Sequence, residues 1–290
     1  VRFKYEAAGV DPPVGDLLNS LAGRRRQLQV HILVWDFAMI FALDREMTPF
    51  FGPGWRRHPR VHFHMDGNHP VGASHHSKIV VIDDSLAFAG GLDIAKGRWD
   101  TSEHRQDDRR RSDFNGTVLP PHHDVQIAVA GEIALSLGAL VREHWWRATG
   151  QRLREPRRQA NLWPTNLQPD ITDSRVAIAR TAPAYARQKE VREIEALFRD
   201  GIAAARRWIY IENQYLSSAA VADALAKRLT EADGPEIVLV ISQVSYGWLE
   251  GATMDVVRGP LMKRLSHADP YRRLGVYAPI VSRGACHSMS

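Results

Sequence analysis

Two stretches far apart in the chain follow one plan, and that duplication constrains the fold more than any single residue. QVHILVWDF (residues 29–37) and EIVLVISQV (236–244) both read as buried strands, dense in aliphatic and β-branched side chains. Each is followed by a helical pattern, then by a second strand: RVHFHMD (60–66) in the first half, GVYAPIV (275–281) in the second. A short glycine-containing link then delivers a histidine, His76 in HHSK and His287 in CHSM. A repeat of this size sets the unit of folding, and strands alternating with helices argue for an α/β layered sheet in each half. The expected division is 1–165 and 166–290, with the Arg- and Pro-containing stretch 150–172 as the linker. Two such halves packed face to face would bring His76 and His287 to one seam.

The remaining elements follow from periodicity and breakers. Helices are expected at 14–21, 37–47, 132–149, 191–206, 219–231 and 253–265, and strands at 27–35, 60–66, 79–82, 122–131, 176–179, 208–215, 236–242 and 275–280. Residues 96–115 (KGRWDTSEHRQDDRRRSDFN) are charge-dense and poor in aliphatics, which predicts a long loop with a functional role. His62 and His64 share one face of an alternating strand. That is a metal-pair spacing with no third ligand nearby, and a partly exposed strand face explains it better.

The chemistry-bearing stretch is Gly72 to Asp93, GASHHSKIVVIDDSLAFAGGLD. His76, Lys78 and Asp83 form H-x-K-x-x-x-x-D, and Gly90, Gly91 and Asp93 follow at a fixed distance. Residues two apart on a strand share a face, so His76 and Lys78 point the same way. Asp83 lies past the strand end with the opposite parity, which makes it an anchor of the turn rather than a group that touches substrate. An imidazole beside an ammonium can attack and charge-stabilise a phosphoryl centre. The chain holds six lysines against 32 arginines, so a lysine here is not casual charge.

Composition narrows the class. Hydrophobic content of 44% and charged content of 24% are those of a soluble globular protein. The formal charge of +5 leans toward anionic partners. The lone Cys286 leaves no internal disulfide and no thiolate cluster for a metal. No apolar run reaches the length of a membrane span. The opening VRFKYEAAGVDPP is neither an initiator methionine nor a signal peptide. That reading favours a cytoplasmic or peripheral-membrane setting and leaves secretion open.

These motifs resemble the phospholipase D superfamily, whose signature is the His-Lys-Asp motif in duplicate. GASHHSKIVVIDD with AFAGGLDIAKGRWDTSEH is similar to the first motif of bacterial phosphatidylcholine-type members; PPHHDVQIAVAG resembles the strand that follows it, and WIYIENQYL the segment preceding the second motif. The likeness implies two pseudo-symmetric α/β/α repeats with mixed β-sheets packed face to face, the second incomplete. It also implies phospholipid as substrate at a membrane surface, with water or an alcohol as acceptor, no metal and no cofactor.

Carried over residue by residue, His76 is the nucleophile that forms a phosphohistidine, Lys78 a phosphate donor, and His287 the acid and base. Asp124 holds His76 in its tautomer, while Gly90, Gly91 and Asp93 line the phosphate. The family continues from its second histidine with a lysine two residues on, where this chain has Met289. It therefore reads as a chain cut short at both ends, with impaired turnover. A nuclease on the same fold, or a non-catalytic anion- or lipid-binding remnant, are the alternatives. Trp55, Trp99 and Trp248 suit a membrane interface or a core equally.

Overall fold

A computed structural model describes residues 13–36, 57–94, 98–112, 116–157, 161–242, 248–281 and 284–285. The fold is α/β, with helices and several short sheets. The chain divides into two compact units, one from Val1–Lys96 and Gln126–Ala177, the other from Gly97–Val125 and Ile178–Ser290.

In the first unit, helix α1 (Val14–Arg24) precedes strands β1 (Val30–Trp35) and β2 (Val61–Asp66), which pair in parallel from Val30↔Val61 to Trp35↔Asp66. Parallel pairing puts the ends of both strands side by side, so Asp36 and Asp66 emerge at the same carboxyl edge. In open α/β folds that is the edge where ligands gather. A second sheet is antiparallel, in the order β3 (Lys78–Ile82), β4 (Leu86–Gly90), β5 (Gln126–Ala130). Helix α2 (Glu132–Thr149) packs against β2, β3, β4 and β5, burying Ala134, Leu137 and Trp145. His31 stacks on His62 at 4.7 Å, His31 and His64 lie edge-on to Trp145, and His64 Nε2 meets the Ala148 carbonyl at 3.2 Å. These histidines pack against α2. Burial first, and then the charge of His62, lower the pKa of His31.

β4 was not expected from the sequence. Its entry turn explains why it forms: Asp83 and Asp84 both take positive φ, 48° and 51°, and the Ser85 amide donates to the Ile82 carbonyl at 3.0 Å. That is the mirror-image turn whose twist matches a tight hairpin, and aspartate tolerates it better than most residues. Asp84, not Asp83, is the buried member. Arg142 Nη1 on α2 donates to both Asp84 oxygens at 2.6 and 2.7 Å. Gly138, one helical turn earlier, leaves the space: a Cβ there would lie 2.0 Å from Asp84 Oδ1.

The second unit carries β6 (Thr181–Ala182) and β7 (Val191–Arg192) as a short antiparallel pair, then helix α3 (Glu193–Ala204). Residues 176–179, expected as a strand, form none; pairing starts at Thr181, where Arg180 grips Glu193 through its backbone amide, Nε and Nη2. β8 (Trp208–Asn213), α4 (Ala219–Leu229), β9 (Glu236–Ile241), α5 (Trp248–His267) and β10 (Leu274–Tyr277) follow. β9 lies between β8 and β10, all three parallel. This strand–helix alternation is the unit read from the sequence. One core holds it together: Ile209, Ile237, Leu239 and Ile241 from the sheet against Ile202, Leu225, Leu229 and Leu265 from the helices. Burying each such side chain contributes about 1.5–3 kcal/mol. A final antiparallel pair joins β11 (Ile280–Val281) and β12 (Gly284–Ala285). The helix expected at 37–47 and the histidine His287 lie outside the described residues.

Among the described residues, arginine ends three of five helices. Arg60 Nη2 donates to the Ala22 and Arg25 carbonyls behind α1, Arg228 Nη2 to Ala205 behind α3, and Arg273 to Leu229, Glu231 and Gly234 behind α4. Each satisfies carbonyls that the helix leaves unpaired and opposes the negative end of its dipole. α2 ends differently, on Gly150 at φ 74°, whose amide returns to the Trp146 carbonyl at 2.7 Å.

Candidate active site

His76 stands two residues before the ladder of β3, exposed, at the end of the link that leaves β2. Lys78 opens β3 and pairs across to Gly90, the register that puts the glycine pair beside the motif. Its Nζ donates to the His76 carbonyl at 2.8 Å and lies 3.4 Å from Asp93 Oδ1, with the side chain 12% exposed. The fold thus joins three of the expected residues. The lysine charge sits against the backbone of the histidine, on the flank of Asp93. Asp83 lies at the far end of β3, at the hairpin tip.

The link that carries His76 is held by aspartates the sequence reading passed over. Asp66, 5% exposed, accepts the Asn68 amide at Oδ1 (2.9 Å), and its Oδ2 lies 3.2 Å from His75 Nε2. Burial alone would raise the Asp66 pKa; the hydrogen bonds from His75 and the Asn68 amide, with the charges of His75 and His144, outweigh it and lower the pKa. His69 touches Asp36 Oδ1 through Nε2 at 2.8 Å and the Pro70 carbonyl through Nδ1 at 2.9 Å. The Trp35 indole N–H also aims at Nε2, at 3.0 Å. Burial opposes a charge on His69, but Pro70, Asp36 and Asp66 prevail and raise its pKa. A protonated ring donates to both acceptors; a neutral one takes the indole proton instead. Both aspartates follow directly from the strand ends, so the usable signal was an acidic residue closing each parallel strand.

Asp124 lies in the second unit, two residues ahead of β5. The strand expected from 122 begins only at Gln126, because side-chain hydrogen bonds hold 122–125 instead. The Asp124 carboxylate accepts the Val125 amide at 2.8 Å and lies 3.3 Å from His122 Nε2. Around it the charge-dense loop folds on a buried ion pair: Arg111, 1% exposed at its side chain, donates to Asp100, 4% exposed. Asp100 also accepts the Thr101 and His122 amides, both at 2.8 Å. Burial pushes the Asp100 carboxyl up, while His104, those amides and Arg111 together bring it below the usual range. His122 is pushed down, by burial first and then by the Arg98 charge. At the surface of this loop the Arg110 guanidinium holds Asp108 at about 2 and stacks 5.2 Å from the half-buried Trp99.

Similar proteins carry one name. No protein-family profile matches the chain. Phospholipase D C of Dictyostelium discoideum is 39% identical over 94 residues, which is 31% of this chain and 6% of that protein. Phospholipase D alpha 1 of Vigna unguiculata is 25% identical over 283 residues, 72% of this chain and 34% of that protein. Phospholipase D1 of Saccharomyces cerevisiae is 27% identical over 243 residues, covering 61% and 14%. Relatives named phospholipase D across several kingdoms support a place for the chain in the phospholipase D superfamily. It spans between 6% and 34% of the length of these three relatives. They are an amoeba, a plant and a fungus, so the bacterial type suggested by the motifs gains no support from them. Among the described residues no helix is long and apolar enough to cross a membrane.

Proposed function

We propose that the chain provides a phospholipase D-type site that cleaves phospholipid phosphodiesters, by hydrolysis or by transfer to an alcohol. The carrying observation is the His76–Lys78 pair at the head of β3, with the lysine charge fixed at the histidine's own carbonyl. A ring nitrogen of His76 attacks phosphorus, and the bond to the head-group oxygen breaks as that oxygen takes a proton from His287. Water or an alcohol then gives its proton to His287, attacks phosphorus and releases His76. Splitting one displacement into two is the gain of a covalent intermediate. Asp124 holds the His76 ring during both steps, and Gly90, Gly91 and Asp93 flank the phosphate. On this reading the motif-bearing repeat spans 1–165 and its partner 166–290.

Lipid is favoured over nucleic acid because Arg60, Arg111, Arg142, Arg228 and Arg273 are spent on carbonyls and carboxylates. A nuclease needs such charges on a continuous groove.

The test incubates the chain with phosphatidylcholine vesicles and reads choline release together with acid-labile phosphate on His76. Met289→Lys supplies the cation expected beside His287 and should raise turnover on the order of a hundredfold. His76→Ala should remove both signals from either background. Equal choline release with and without His76 would overturn the assignment.

A further inference from the structure

Within the second unit a chain of four side chains runs from the charge-dense loop to the end of β8. His104 Nδ1 lies 3.0 Å from Asp100 Oδ2, His104 Nε2 lies 3.2 Å from His123 Nδ1, and His123 Nε2 lies 2.8 Å from Glu212 Oε1. The two rings meet edge to face, with centroids 5.2 Å apart. Each contact needs one proton. Asp100 already accepts Arg111 and two backbone amides, so it can only accept from His104. Glu212 accepts the Tyr210 hydroxyl at Oε2, 3.1 Å away, so its free role toward His123 is also that of acceptor. Both outer ring nitrogens must then be donors, and the inner contact takes a third proton. A neutral imidazole carries one N–H, and two neutral rings carry two. Two hydrogen bonds and the 2.8 Å ion-pair contact with Glu212, where a ring lone pair would face a carboxylate, therefore require one proton more than two neutral rings own.

We propose that His104 and His123 share three ring protons and form a single cationic pair, clamped between Asp100 and Glu212, that positions the 121–124 segment and with it Asp124. The surrounding charges agree with the count. Asp100 and Glu212 supply two negative charges and Arg111 one positive; the shared proton brings the cluster to neutrality. Beyond these, Arg98 reaches His122 Nδ1 at 3.5 Å opposite Asp124, a further pair whose charges cancel. The Tyr210 phenol stays a donor, since burial, the Glu212 hydrogen bond and the Glu212 charge all raise its pKa. His123 and Asp124 are consecutive, so a clamp on one ring fixes the backbone that carries the carboxylate. Only that last consequence rests on the proposed role of Asp124; the proton count does not.

The measurement is a long-range proton–nitrogen NMR correlation on the intact chain labelled with ¹⁵N-histidine at neutral pH, without substrate. Resonances are assigned by His104→Asn and His123→Asn. The expected result is a protonated Nδ1 on His104, a protonated Nε2 on His123, and a third proton between the facing nitrogens. Glu212→Gln keeps an acceptor of the same shape while removing the charge, so it should lose the third proton and keep the other two. The stacked His31 and His62 signals, far along the chain, report whether the fold survives. Two ring protons in the unaltered chain, or three retained in Glu212→Gln, would overturn the clamp. A correct count alongside choline release that ignores His76→Ala would instead refute the functional reading alone.

Discussion

The segments around His76 and around Asp124 are both loops that carry chemistry, yet they are held by different kinds of contact. Residues 67–77 hang from aspartates at strand ends through histidines: Asp36 with His69, Asp66 with His75. Residues 98–124 close on Arg111 and Asp100, both buried, with histidines added around that pair. A guanidinium keeps its charge at any accessible pH, whereas an imidazole changes near neutrality. The link that carries His76 is therefore tunable by protons, and the Arg111–Asp100 core of the Asp124 loop is not.

The largest effect should come from Arg111→Ala. It leaves the Asp100 carboxylate buried without its cation, a change that typically costs about 3–5 kcal/mol. Urea unfolding should show that loss, and a cost under about 1 kcal/mol would mean the loop does not depend on the pair. Gly138→Ala strikes the β3–β4 hairpin tip, at the far end of β3 from the His76 link, driving a methyl into the Asp84 carboxylate. Overpacking of this kind costs about 1–3 kcal/mol, and a thermal melt unchanged by the substitution would show that Asp84 has room to withdraw.

Those two sites also mark what sequence could and could not supply. Strand–helix alternation, Lys78 two residues after His76, and the motif spacing were visible because each is set by local pattern. The choice of Asp84 over Asp83 was not, because burial depends on which residue of the turn meets Arg142, a residue 58 positions away. The loop character of 96–115 was readable from its charge. That Arg111, among four arginines within 105–111, would be the buried one was decided by Leu119 and Asp100 closing around it. β4 was missed because LAFAG is short and alanine-rich, so its strand character comes from neighbours on both sides.

Smaller effects sharpen the contrast. Asp66→Asn keeps the shape beside His75 but removes the charge. His75 lies within ion-pair reach of Asp66 without hydrogen-bond alignment, so what is lost is an ion contact and the charge behind the Asn68 amide bond, and hydrogen exchange at 67–76 should quicken while 98–124 holds. The smallest change is pH alone. The pKa of His69 is raised in the fold, so its contribution is full below its unfolded value near about 6.5 and fades as pH climbs through the higher folded value. Asp66 is lowered, so its share is present above about 3.9 and fades only as pH falls below that. Amide exchange from pH 6 to 8, corrected for intrinsic rates, should accelerate in the His76 link while the Arg111 and Leu119 amides beside the buried ion pair hold; parallel acceleration of those two amides would erase the distinction.

The arginines that close α1, α3 and α4 bear on how fast the protein meets an anionic surface. The formal charge of +5 counts side chains and leaves out backbone dipoles. A helix end carries about half a negative charge, and Arg60, Arg228 and Arg273 each face one. A dipole adds no net charge, so the +5 still acts at long range, and what falls is the local field of those three guanidiniums. Encounter with acidic vesicles should slow as salt is added, with Arg60, Arg228 and Arg273 contributing least to that dependence.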